Sequence, residues 1–308
     1  MRRREWQAAY IRLYKSGELA QRAQALYSIL RSCRLCPRQC GVNRLAGETG
    51  ICESPSRAKV ASAHAHFGEE QPLVGRYGSG TIFFSRCNLL CVYCQNWQIS
   101  HGGGGSFLTD TALGRLMLEL QAMGCHNINL VTPTHCVANI VQGLRTSVAG
   151  GLHIPLVYNC SGYEPQEVLR HLDGIIDIYL TDFKYADGAM AAKYSSGTSD
   201  YPEVAAGAIS EMHRQVGDLV VDENGIALRG LMIRHLVLPN NIAGTDRFAR
   251  LVADKAGRST YVNLLSQYRP ECEASRYPEL SRPITRQEYS QAVAWAREAG
   301  LTNLHLQA

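Results

Sequence analysis

Apolar positions along the chain follow two rhythms. Near the start, Trp6, Tyr10 and Leu13, then Leu19, Ala23, Leu26 and Leu30, recur every three to four residues on either side of Ser16-Gly17, which predicts two packed helices. From about residue 59 the rhythm changes. Short runs rich in β-branched and aromatic residues, at 81–84, 127–131, 154–158, 175–181, 231–237 and 261–265, alternate with longer helical stretches such as 109–124, which Thr109 is placed to cap. Six strand–helix units predict an α/β fold, a partial, open (β/α)6 TIM-type barrel that gathers ligands where strands meet their following loops. Asn224-Gly225, within residues 218–229, signals an inserted hairpin. Gly102 to Gly105 reads as a flexible surface loop or the mobile edge of an active site. The division expected is an N-terminal helical and Cys-rich metal-binding segment at 1–58, followed by the barrel at 59–308.

Composition narrows the class. With 45% hydrophobic and 19% charged residues in 308, the chain has ample material for a core and does not resemble a disordered one. Its 31 Lys and Arg against 27 Asp and Glu leave +4, too little to make nucleic acid or an anionic membrane an obligatory partner. The basic start, MRRREW, is not followed by an apolar stretch of the secretory kind, and no window approaches a membrane span, so a cytoplasmic location is expected. Without an export signal, the 11 cysteines point to metal ligation sooner than to a disulfide framework.

Seven cysteines form two groups. Cys33, Cys36, Cys40 and Cys52, spaced x2, x3 and x11 among turn formers, make a four-ligand site that suits zinc, a mononuclear iron or an iron–sulfur cubane on spacing alone. A structural metal is the favoured role, with an electron relay beside it. Cys87, Cys91 and Cys94 (CNLLCVYC) sit directly after a predicted strand and supply three thiolates. A cubane held by three leaves one iron open to a substrate or cofactor; a zinc knuckle completed from elsewhere, or plain buried thiols, is the competing reading. Cys125, Cys136, Cys160 and Cys272 read as small buried hydrophobes, Cys160 being the one beside a motif.

Cys87-x3-Cys91-x2-Cys94, with Tyr93 before the last ligand, resembles the signature of the radical S-adenosylmethionine (SAM) superfamily. From about Ser79 to Ala308 the chain is similar to the pyruvate formate-lyase activating enzymes, and closer still to an iron–sulfur branch homologous to them. The resemblance implies a [4Fe-4S] cluster whose open iron chelates SAM. One electron then cleaves SAM to methionine and a 5′-deoxyadenosyl radical that abstracts a substrate hydrogen. Further segments match by position. Thr132-Pro133-Thr134-His135 stands where the family carries Gly-Gly-Glu-Pro against the SAM amino group. Asn159-Cys160-Ser161-Gly162 resembles Asp-Thr-Asn-Gly and Asp182-Phe183-Lys184 resembles Asp-Leu-Lys, near SAM and a cation in the family. Asn159 replaces the family Asp. Arg234 corresponds to an arginine on the SAM carboxylate, and Leu265-Ser266-Gln267-Tyr268 to Leu-Pro-Tyr-His near the adenine. The implied cofactor contacts are therefore Tyr93, Thr132, Thr134, His135, Asn159, Asp182, Arg234, Gln267 and Tyr268.

The function implied is an oxidoreductase of glycyl-radical activase type, fed by an electron donor such as flavodoxin or ferredoxin and acting on a glycyl-radical protein. A radical SAM enzyme of a small molecule or peptide is the alternative. A non-catalytic iron–sulfur or zinc electron-transfer or binding protein is the alternative of another class.

Overall fold

A computed structural model describes residues 5–306; the basic start at residues 1–4 lies outside the described residues. Helices α1 (Ala9–Ser16) and α2 (Glu18–Ile29) meet at Gly17, whose φ of +82° is left-handed and open to glycine at little cost. The chain continues through β1 (Lys59–His66), α3 (Gln71–Val74), β2 (Ser79–Phe84), α4 (Trp97–Ser100), β3 (Ser106–Phe107), α5 (Asp110–Ala122), β4 (Ile128–Val131), α6 (Val137–Ala149) and β5 (Leu156–Cys160). Then come α7 (Gln166–Leu172), β6 (Ile178–Asp182), α8 (Gly188–Tyr194), α9 (Tyr201–Val216), β7 (Val220–Val221), β8 (Ala227–Leu236), α10 (Thr245–Lys255), β9 (Tyr261–Leu265), α11 (Arg286–Glu298) and β10 (Leu304–Leu306).

The main sheet runs β10-β9-β8-β6-β5-β4-β2-β1-β3, with β7 paired to β8 as the hairpin expected around Asn224-Gly225. Strands β2 through β10 along that path are parallel, whereas β1 and β3 add antiparallel pairs at one edge. The two end strands do not pair, so the barrel stays open. The six expected parallel strands become seven because β10 joins β9; Leu-His-Leu is too short to show an alternation. Strand starts also shift. Ile175 and Ile176 both donate their N–H to Leu172 O, closing a turn, so β6 begins at Ile178 instead.

Alternation along each strand divides the two faces. Ile128, Leu130, Leu156, Tyr158, Tyr179, Leu231, Ile233, Val262 and Leu264 join the helices in one continuous core, which also takes in Tyr10, Leu13, Leu19 and Leu26 of the first two helices. The inner face buries Leu73, Val157, Ile178, Leu180, Met232 and Tyr261 as a separate apolar cluster. One step further along the same face come Asn159, Asp182, Arg234 and Asn263, Asp182 pairing in register with Arg234 and Arg234 with Asn263. The interior is therefore apolar near the strand starts and polar where the strands end. Thr109 caps α5 as its position predicts, its hydroxyl accepting from Ala112 N at 3.2 Å. Residues 102–105 are held in place by Lys59 Nζ on Gly103 O at 2.5 Å and by Ser85 on Gly104 O. Among the described residues no helix is long and apolar enough to cross a membrane.

Candidate functional site

The loop leaving β2 turns twice through left-handed backbone, at Arg86 (φ +77°) and Leu90 (φ +52°), and this brings Cys87, Cys91 and Cys94 onto one pocket. Three hydrogen bonds fix it from outside: Arg86 N to Ile99 O, Val92 N to Tyr194 O, and Glu273 N to Val92 O. Donors reach the sulfurs as well. Ser195 Oγ donates to Cys91 Sγ at 3.0 Å, Leu89 N to Cys87 Sγ at 3.4 Å, and Ser100 Oγ lies 3.1 Å from Cys94 Sγ. Burial pushes the Cys91 thiol up to about 12, against the opposing pull of the Lys184 ammonium. Unligated, Cys91 is therefore neutral at pH 7; a metal would hold the three cysteines as thiolates, the form the surrounding donors favour.

Across the pocket lies an ion network built from the ends of β5, β6 and β8 together with Glu69, which lies between β1 and α3. Arg234 donates through Nε to Asp182 Oδ1 at 2.8 Å, through Nη2 to Asn159 Oδ1 at 2.7 Å and through Nη1 to Glu69 Oε2 at 3.4 Å. Lys184 Nζ donates to Asp182 Oδ2 at 2.8 Å. Burial alone would raise Asp182, but Arg234 and Lys184 outweigh it and hold the carboxyl at about 2. The pocket is lined by the three cysteines together with Tyr93, Thr132, Asn159, Ser161, Asp182, Lys184, Arg234 and Gln267. Thr132 has φ +59°, which a β-branched residue rarely adopts, so strain is stored at the pocket wall.

Three sequence-expected contacts lie elsewhere. After Pro133 the chain enters a short 3-10 turn, Thr134–Cys136, which carries Thr134 and His135 away from this pocket. Thr134 donates to buried Glu164, and His135 Nε2 bonds Ser85 O at 2.8 Å. Tyr268 gives its hydroxyl to Leu280 O at 2.6 Å and meets Tyr93 edge-on, 5.9 Å between centroids, behind the pocket wall. Lys184, quoted in the sequence only as the last residue of Asp182-Phe183-Lys184, also lines the pocket, and Ser195, Ser100 and Glu69 join the site although no local signal singled them out. Of the scattered cysteines, Cys125, Cys136 and Cys160 are buried; Cys160 lines the pocket and Cys272 lies near enough for Cys94 to contribute to its raised pKa, after burial.

Glu164 gives a pH prediction. Burial lifts its carboxyl from 4.5 to about 8, opposed by hydrogen bonds from Thr134 and Tyr158. The unfolded chain releases this proton above about 4.5 while the folded chain keeps it until about 8, so its effect is to lower stability as pH rises through that window. His135 and His235, both lowered to about 4 by burial, act oppositely but only below 6.5. Glu164→Gln should therefore flatten the urea-midpoint decline between about pH 7 and 8, removing a slope of up to about 1.4 kcal/mol per pH unit. An unchanged slope would show that Glu164 is ionised in the folded protein.

The four N-terminal cysteines line a second, smaller cavity with Arg38, Arg44, Gly50 and His135. Arg38 spans the two cysteine groups, donating to Asn88 O, beside Cys87, at 2.9 Å and to Ser196 O at 2.6 Å. Among the described residues no group of three or more His, Cys, Asp or Glu side chains could hold a metal ion as it stands. An iron–sulfur cluster is held by thiolates and stabilised by hydrogen bonds to its sulfurs, and the three pocket thiols with the groups that reach them offer that donor set.

The fold and site together define an open parallel α/β protein with a pocket at the carboxyl ends of its strands, into which one loop brings three thiols. The chain belongs to the family of the uncharacterized protein MJ0674 of Methanocaldococcus jannaschii, with which it is 30% identical over 296 residues, 93% of this chain and 80% of that one. No protein-family model matches the chain. Among solved structures it is similar to HydG, a maturase of the [FeFe]-hydrogenase, with a TM-score of 0.49 and 15% identity over 72% of this chain and 49% of HydG. It thus spans about half the length of that protein. Methylornithine synthase (PylB) aligns with a TM-score of 0.42 and 12% identity, over 72% of this chain and 68% of PylB.

Proposed function

We propose that this protein is a radical SAM enzyme. The observation that carries the reading is the pocket itself: one loop sets three thiols, Cys87, Cys91 and Cys94, in a wall shared with the Arg234 and Lys184 cations, while the other cysteine of that wall, Cys160, ends β5 and is hydrogen-bonded to Thr181. A [4Fe-4S] cluster bound there together with SAM would supply reductive cleavage of SAM to methionine and a 5′-deoxyadenosyl radical. Cys87, Cys91 and Cys94 would hold the cluster. Arg234 presents paired donors suited to a carboxylate, and the Lys184 ammonium, whose field reaches Cys91, would offset the negative charge that reduction adds there. The donors on the three sulfurs tune the same charge.

The substrate reading we favour is a backbone glycine of a glycyl-radical protein, supported by the open sheet edge, with a flavodoxin or ferredoxin as electron donor. A small-molecule or peptide substrate is favoured by a different observation. Near Arg234, Glu70 Oε2 and Asn263 Oδ1 are buried without a hydrogen-bond partner, acceptors that a compact polar ligand would satisfy. The test is anaerobic: reconstitute the protein with iron and sulfide, add SAM and dithionite, and assay 5′-deoxyadenosine. Its formation, with a SAM-dependent change in the cluster's electron paramagnetic resonance signal, is expected. An intact cluster whose signal ignores SAM would transfer the protein to the electron-transfer class.

A prediction on Cys272 follows from its nearness to Cys94. If three thiolates suffice, Cys272→Ala retains the wild-type iron and sulfide content and its SAM response. Loss of iron in that variant would make Cys272 the fourth ligand and close the site.

A further inference from the structure

Arg44 is among the largest fully buried side chains, 1% exposed. Its guanidinium donates through Nε and Nη2 to Pro55 O, at 3.1 and 2.6 Å, and through Nη1 to His135 O at 2.8 Å, with Cys33 Sγ 3.9 Å from Nη1. Every one of these partners is a neutral carbonyl or a sulfur. Arginine keeps its proton at any working pH, and a buried charge without a counter-charge costs several kcal/mol. The groups able to neutralise it are the four thiols that share its cavity.

Only as thiolates can they carry the charge that would balance the guanidinium. A metal changes the sign of the problem: it binds cysteine as thiolate, and four thiolates around a zinc ion or a cubane leave a net dianion. The backbone is already bent for this. Cys33 N donates to Val42 O at 2.9 Å and Gly41 N to Cys33 O at 3.1 Å, folding Cys33, Cys36 and Cys40 together. The segment before Cys52 then approaches so closely that a Cβ on Gly50 would stand 2.6 Å from Cys40 Sγ.

We infer that Cys33, Cys36, Cys40 and Cys52 close on a metal as a tetrathiolate dianion, and that Arg44 is its buried counter-ion. The inference is independent of the chemistry proposed for the other pocket. Metal draws the thiols into a shell they do not form alone, so binding and local folding are one event.

The test uses the full chain with Cys87, Cys91 and Cys94 all replaced by alanine, so that bound metal reports on the four-thiol site. One arm supplies zinc alone, the other ferrous iron with sulfide under argon. The expected result is one zinc, or one iron–sulfur cluster, retained in one arm and lost on adding Cys36→Ser. In the favoured arm, Arg44→Met should weaken retention against a competing chelator by about 10–100-fold, as loss of an outer partner of a metal ligand does, whereas Arg44→Lys should keep most of it. Folded protein, by circular dichroism, that takes metal in neither arm overturns the site. Equal retention by Arg44→Met and the parent overturns the counter-ion. Should Arg44→Met fail to fold, Arg44→Lys decides: metal held as in the parent supports a charge role, and metal lost overturns it.

Discussion

Replacing Cys87, Cys91 or Cys94 singly by alanine is expected to abolish 5′-deoxyadenosine formation and to empty the pocket of iron, with no variant partly active. The reason is geometric. All three thiols face one pocket from one loop, and that loop is held by Tyr194, Ile99 and Val92 backbone bonds that the substitutions leave in place. The protein should therefore stay folded while losing a ligand that no neighbour replaces. Loss of an outer partner of a metal ligand already costs about 10–100-fold, so loss of a ligand itself should exceed a hundredfold. Iron and sulfide analysis beside the product assay separates the cases: product lost with iron retained would place the three cysteines outside the cluster shell. Ser195→Ala makes a graded contrast, since it removes one donor from Cys91 Sγ and no ligand, and should shift the cluster's potential while leaving its iron.

Much of this site was legible because its information is local. Three cysteines spaced x3 and x2 after a β-branched and aromatic run need only a short loop to meet, and the alternation rule places Asn159, Asp182 and Arg234 on one face once register is known. What failed depended on chain direction over two or three residues. Thr132 lines the pocket, but the 3-10 turn after Pro133 carries Thr134 and His135 toward Glu164 and Ser85. Tyr268 follows Gln267 by one residue and points the other way, to Leu280. Contacts made across the fold left no trace in the sequence at all. Ser195 meets Cys91 from 104 residues away, and Glu69 meets Arg234 from 165. Arg38 and Arg44 were invisible for a related reason: in a segment with arginines also at 31 and 34, nothing in the spacing says which two turn inward.

Arg234→Ala is expected to cost both stability and SAM affinity, and the two losses can be separated. Among the described residues, Arg234 is the one cation that touches Asp182, Asn159 and Glu69 together, with a side chain four-fifths buried. Removing it leaves Glu69, whose carboxyl burial already raises, without its main opposing charge, and leaves Asp182 to Lys184 alone. Breaking a buried pair from one side costs roughly 3 kcal/mol at the lower end of the usual range, which the partial exposure here favours. The acid limb carries a signature. Asp182 is held at about 2 against an ordinary 3.8, so its contribution is complete above 3.8 and is lost as pH falls toward 2. In Arg234→Ala that contribution shrinks, and the wild-type and variant stability curves should converge as the pH drops through this window. Arg234→Lys restores a charge but not a planar fork, and can reach one acceptor where arginine reaches three. It should recover much of the stability and little of the SAM binding, read by calorimetric titration of the reconstituted protein. Equal recovery of both would make Arg234 a brace for the strand ends and move the carboxylate-binding role to Lys184, the other cation facing the three thiols.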